Sequence, residues 1–135
     1  MLQRACVSAE FRALERNHSS PVTQWLRALA RLCAACLRDD DLVARFGGEE
    51  FVLLLPGRDL EAAVAVGEAL REAVEHERLA HPTSPIAPHV TVSVGAAATW
   101  PSEGGGPEDL LLAADRAMYA AKARGRNCVV AKYVG

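Results

Sequence analysis

Three groups of residues could carry chemistry in this chain. The first is Gly47-Gly48-Glu49-Glu50, set between the apolar runs Leu42–Phe46 and Phe51–Leu55. Two glycines on a turn let another molecule approach the backbone closely, because no Cβ stands in the way. Two adjacent carboxylates repel each other, and a cation relieves that repulsion. Divalent-cation binding is therefore one reading of the turn, and an ordinary solvated acidic turn is the other. The second group is Arg38-Asp39-Asp40-Asp41. Consecutive aspartates at the end of a helix oppose its dipole, so local stability does not explain them. A solvated connector is the ordinary reading of such a run. The third group is Lys122 and Arg126, which by themselves read as a charge pair favourable at a helix C-terminus.

The elements that must hold these groups follow from periodicity. A helix is predicted from about Thr23, its cap, to Leu37, with Leu26, Leu29, Cys33 and Cys36 on the inward face. Leu42–Phe46 and Phe51–Leu55 read as the arms of a hairpin around Gly47-Gly48. Pro56-Gly57 ends the second arm, and a helix capped by Asp59 runs to about Ala80. The three prolines of residues 81–89 mark a loop, bracketed by His81 and His89, which read as surface residues. Val90–Ala97 is a strand with Val92 and Val94 on one face and Ser93 and Gly95 on the other. Pro107 opens a third helix, Gly125 stops it, and Cys128–Val134 is a last strand. Residues 1–17 show only weak helical spacing (Leu2, Cys6, Phe11, Leu14), and no strand is expected there. The order helix, strand, strand, helix, strand, helix, strand indicates an α/β (α+β) fold of ferredoxin-like type.

Composition narrows the classes of function. A chain of 135 residues, half of them apolar and a quarter charged, fits one globular domain. A formal charge of −2 gives no electrostatic footprint for nucleic acid or membrane surfaces, and the strands lack an aromatic platform for RNA. The spacing of Cys33 and Cys36 is zinc-like, but no second Cys or His pair accompanies it, so both read as small core hydrophobes. With no long apolar run, the expected location is the cytoplasm and no membrane segment is expected.

Several segments together resemble one family. Arg-Phe-Gly-Gly-Glu-Glu-Phe at 45–51 is similar to the signature loop of the GGDEF family, the diguanylate cyclases. Arg38 and Asp41 match its Arg-x-x-Asp inhibitory product site. Thr91-Val-Ser-Val-Gly95 matches its Thr-Val-Ser-x-Gly strand, and Ala114–Lys122 followed by Gly125-Arg-Asn127 matches its closing helix and strand. The resemblance runs from about Thr23 to Val130. It implies a nucleotidyl-cyclase-like sheet and the condensation of two GTP into cyclic di-GMP by a homodimer, with Mg²⁺ or Mn²⁺ as cofactor. It further implies metal binding and catalysis by Glu49 and Glu50, and nucleotide binding by Gly47, Gly48, Lys122 and Arg126. The family's first, central strand, with its metal-binding aspartate, finds no counterpart. The expectation is therefore an unmatched segment 1–22 and a partial domain 23–135, N-terminally truncated, misassigned at its start or degenerate. That would leave synthesis weak or absent. The alternatives are a module that binds cyclic di-GMP through Arg38 and Asp41 without making it, and a non-functional fragment.

Overall fold

A computed structural model of the protein describes residues 4–12, 21–46, 50–77, 91–100 and 106–133, without the side chains of 12 and 21–26. Its elements are β1 (Arg4–Arg12), α1 (Pro21–Ala35), β2 (Leu42–Phe46), β3 (Glu50–Pro56), α2 (Leu60–Glu77), β4 (Thr91–Thr99), α3 (Pro107–Ala123) and β5 (Val129–Tyr133). The strands form one mixed sheet in the order β2-β3-β1-β4-β5. Pairing is antiparallel except between β4 and β5. This is the α+β architecture expected.

The central strand is present, which corrects the expectation that it is missing. Residues 4–12 form it, pairing with β3 from Arg4↔Pro56 to Glu10↔Glu50 and with β4 from Arg4↔Thr99 to Arg12↔Thr91. The segment alternates with period two. Ala5, Val7, Ala9 and Phe11 face the main core with α1 and α2, while Cys6 and Ser8 face the α3 side, also buried. Its small residues have weak strand propensity, but pairing on both edges and burial on both faces override that preference. Phe11 adds an edge-on contact with Phe51, ring centroids 5.3 Å apart.

The opposite faces of the sheet are covered differently. One is sealed by α1 and α2 over a continuous core that includes Leu29, Cys33, Leu53, Leu70 and Val94. On the other, α3 lies over β1, β4 and β5, leaving Leu42, Phe46 and Leu54 exposed. Gly95 makes the close docking of α3 possible. A Cβ there would come within 2.2 Å of both the Ala114 carbonyl oxygen and the Met118 nitrogen.

Caps fix the helix ends. Asp59 caps α2 by accepting from the Ala62 N–H at 2.8 Å, as expected. Thr23 is no cap, because α1 starts at Pro21 and places Thr23 inside the helix. Gly125, at φ 113°, ends α3 as expected; the Arg126 N–H bonds the Ala121 carbonyl and the Gly125 N–H that of Lys122. All four cysteines are free thiols, and burial first of all pushes Cys6 and Cys33 up to about 12, so neither is a ready nucleophile. His81 and His89 lie outside the described residues.

Candidate active site

Glu50 begins β3 on the side of the sheet that α3 only partly covers. Its strand partner is Glu10 of β1, directly opposite. Like charges facing each other across two strands are unfavourable unless something neutralises them. Lys122 Nζ, arriving from the last turn of α3, bonds Glu10 Oε2 at 2.9 Å and lies 5.0 Å from the centre of the Tyr119 ring. Ser8, two residues before Glu10 and on the same face, donates to Glu50 Oε2 at 2.9 Å. Three elements distant in sequence thus meet at one end of the sheet.

The electrostatics favour a proton or a cation at Glu50. Desolvation, then the negative charges of Asp115 and Glu10, push its carboxyl above the usual carboxylate range. The Ser8 hydrogen bond and the charge of Lys122 pull the other way, and the net shift is upward. Beside Glu50 opens a cleft of about 410 Å³ lined by Ser8, Phe46, Val52, Leu111, Leu112, Glu108 and Asp115.

Among the described residues, no three carboxylate, His or Cys side chains come together closely enough to hold a metal ion. The donor set nevertheless fits a hard divalent cation. Mg²⁺ needs only one or two protein carboxylates and completes its shell with phosphate oxygens and water. Glu50 and Glu10 are such a pair, and the repulsion between them is what a cation would relieve. Gly47, Gly48 and Glu49 lie outside the described residues.

Of the other expected residues, Lys122 stands beside Glu10, and Arg126 follows four residues later, half-buried, at φ 67° just past the helix end. Arg38 and Asp41 occupy the turn before β2, at the far end of the hairpin. The register runs from Leu42↔Leu54 near that turn to Phe46↔Glu50 at the site, four residues or about 13 Å. The two groups are therefore separate sites. Arg38 is exposed, whereas Asp41 is buried and ion-paired with Arg58.

Sequence reasoning missed Ser8, Glu10 and Arg58. Glu10 does lie in an apolar strand, contrary to expectation. The signal that could have found it is the alternation Ala5, Val7, Ala9, Phe11, which a search at helical spacing passes over.

Comparison with known proteins places the chain in a family. A family model described as "Diguanylate cyclase, GGDEF domain" matches residues 20–128. A probable diguanylate cyclase of Escherichia coli K12, DgcT, is 38% identical over 125 residues, 92% of this chain and 27% of the relative. The chain thus spans about a quarter of that protein's length. The active GGEEF domain of a diguanylate cyclase from Vibrio cholerae has the same fold, with a TM-score of 0.79 at 24% identity, over 96% of this chain and 83% of that one. So does the GGDEF domain of DgcB from Caulobacter crescentus, solved in complex with c-di-GMP, with a TM-score of 0.76 at 23% identity over 96% and 77% of the two chains. Family match, relative and shared sheet lead to one conclusion: this chain belongs to the GGDEF family of diguanylate cyclase domains.

Proposed function

We propose that this domain condenses two molecules of GTP into cyclic di-GMP, releasing two pyrophosphates, as a homodimer in which each subunit presents one GTP. The observation that carries the reading is the meeting of Glu50, Glu10 and Lys122 at one end of the sheet. Glu50 and Glu10, with Glu49 next to Glu50 in sequence, would hold the divalent cation, Mg²⁺ or Mn²⁺. When bound, that ion neutralises phosphate charge and lowers the pKa of the attacking 3′-hydroxyl.

The protein's own groups do the rest. Gly47 and Gly48, lacking side chains, would leave their backbone open to the nucleotide. Lys122 in the last turn of α3 and Arg126 just past the helix end suit the terminal phosphates of GTP. The ammonium of Lys122 is held by Glu10, and with Glu10 engaged by a cation it would be free to meet the triphosphate. Ser8 holds Glu50 in orientation through its hydrogen bond. Arg38 and Asp41 read as the separate product site.

The presence of β1 bears directly on the expectation of weak or absent synthesis. The strand is formed, and Glu10 supplies a carboxylate on it although no aspartate does. The test is the yield of cyclic di-GMP from GTP and Mg²⁺, resolved chromatographically for wild type, Glu50→Gln and Glu10→Gln. Each variant is expected to lose about 10²-fold or more in rate. For Glu10→Gln, more Mg²⁺ should also be needed for half-maximal rate. A wild-type domain with no turnover sinks the enzymatic reading, and an unimpaired Glu10→Gln removes Glu10 from the site.

A further inference from the structure

Arg58 follows the turn that ends β3, and its side chain folds back beneath the turn that enters β2. There it meets Asp41, whose side chain is wholly shut off from solvent while that of Arg58 is 8% exposed. One terminal nitrogen of Arg58 bonds Asp41 Oδ2. The same oxygen accepts the backbone N–H of Arg38 at 2.8 Å, and the Asp41 N–H closes the turn on the Arg38 carbonyl at 3.1 Å. Two buried polar atoms of this pair are left unmatched, Asp41 Oδ1 and Arg58 Nε. A carboxylate committed in this way does not face outward beside the exposed Arg38. A ligand that requires both side chains meets only one.

We propose that Arg58 is an internal competitor for the Asp41 carboxylate and closes the Arg38/Asp41 site to guanine in the resting domain. This rests on the reading of that pair as a cyclic dinucleotide site. The competition is chemically direct. Guanine would offer N–H donors to the carboxylate, and a terminal nitrogen of the Arg58 guanidinium already donates to it, with a full charge that the neutral base lacks. Arg58 therefore stands in for the base. Binding of the dinucleotide would have to extract Asp41 from a buried ion pair and leave the guanidinium unpaired, which is strongly unfavourable. The domain consequently resists occupation of this site by its own product.

Calorimetric titration with cyclic di-GMP tests this on wild type, Arg58→Thr and Arg58→Lys, each first shown to melt cooperatively. Arg58→Thr should bind about tenfold tighter than wild type or more, and the gain should vanish when Asp41→Asn is added. Arg58→Lys keeps the charge but not the fork, so it protects the fold if Arg58→Thr unfolds, and it should show a smaller gain in the same direction. If wild type already binds through Asp41 and the Arg58 variants bind no better, the competitor role is wrong while the site stands. If wild type and the folded variants all fail to bind, the cyclic dinucleotide reading of the pair is overturned together with the inference.

Discussion

Glu50 is held where its charge is costly. Burial and the neighbouring carboxylates favour its protonated form, and only Ser8 and Lys122 oppose them. In the unfolded chain the same group ionises near the ordinary value of about 4.3. Between that value and the raised one the folded state holds the extra proton, so stability falls as pH rises across the window. Above it the full penalty remains. Glu50→Gln removes the penalty and keeps an oxygen to accept from Ser8. Its melting temperature should exceed that of wild type at pH 7, and the difference should close below about pH 4, where both states of wild type are protonated. Thermal melts of the two proteins across pH check this; a variant that melts lower at pH 7 contradicts it. Stability gained where synthesis is lost would mark Glu50 as a residue kept for chemistry.

At the scale of elements, α3 does most to assemble the site, since it carries Asp115, Lys122 and the exit to Arg126. Its position depends on Gly95, where the helix backbone meets the sheet without a side chain between them. Gly95→Ala would drive a methyl into two backbone atoms at 2.2 Å, and neither belongs to a flexible side chain that could swing away. The helix must lift, with an expected loss of about 1–3 kcal/mol or more by denaturant titration. Synthesis should fall beyond what the unfolded fraction explains, because Lys122 moves relative to Glu10 and Glu50. A neighbouring Ala97→Gly change should weaken the fold without that second effect. The far end of α3 is equally determined: Gly125, Arg126 and Asn127 all have positive φ, and Asn127 Nδ2 bonds Glu75 Oε2 of α2 at 3.0 Å. Two helices on opposite faces of the sheet thereby fix where Arg126 leaves the helix.

For the whole molecule, the decisive element is β1. It lies between β3 and β4 and joins the β2–β3 pair, which carries Glu50, to the half of the sheet that carries α3. Deleting residues 1–12 would leave two facing strand edges unpaired and expose the core under Phe51, Leu53, Val92 and Val94. The truncated chain should lose cooperative thermal unfolding and its near-ultraviolet signal. A sharp melt in that chain would show the hairpin and the α3 half to be stable apart.

The local pieces were legible in the sequence, and the reason is that each depends on neighbours along the chain. The hairpin arms, the Asp59 cap, the Gly125 stop and the alternation of Val92 and Val94 against Ser93 and Gly95 are short-range signals. The motifs from Arg38 to Asn127 named the family on the same basis. What the sequence could not supply were the meetings between distant segments. Residues 4–12 have small side chains and weak strand preference, and they become a strand because two edges and two layers await them. Glu10 gains its meaning only from lying opposite Glu50 and within reach of Lys122, 112 residues away. Arg58, placed after an ordinary turn, acts on Asp41 only because the ends of β2 and β3 are adjacent. Sequence determined which residue types were at hand and which family they belong to. Tertiary packing, by burying charges beside one another, decided which of them work together.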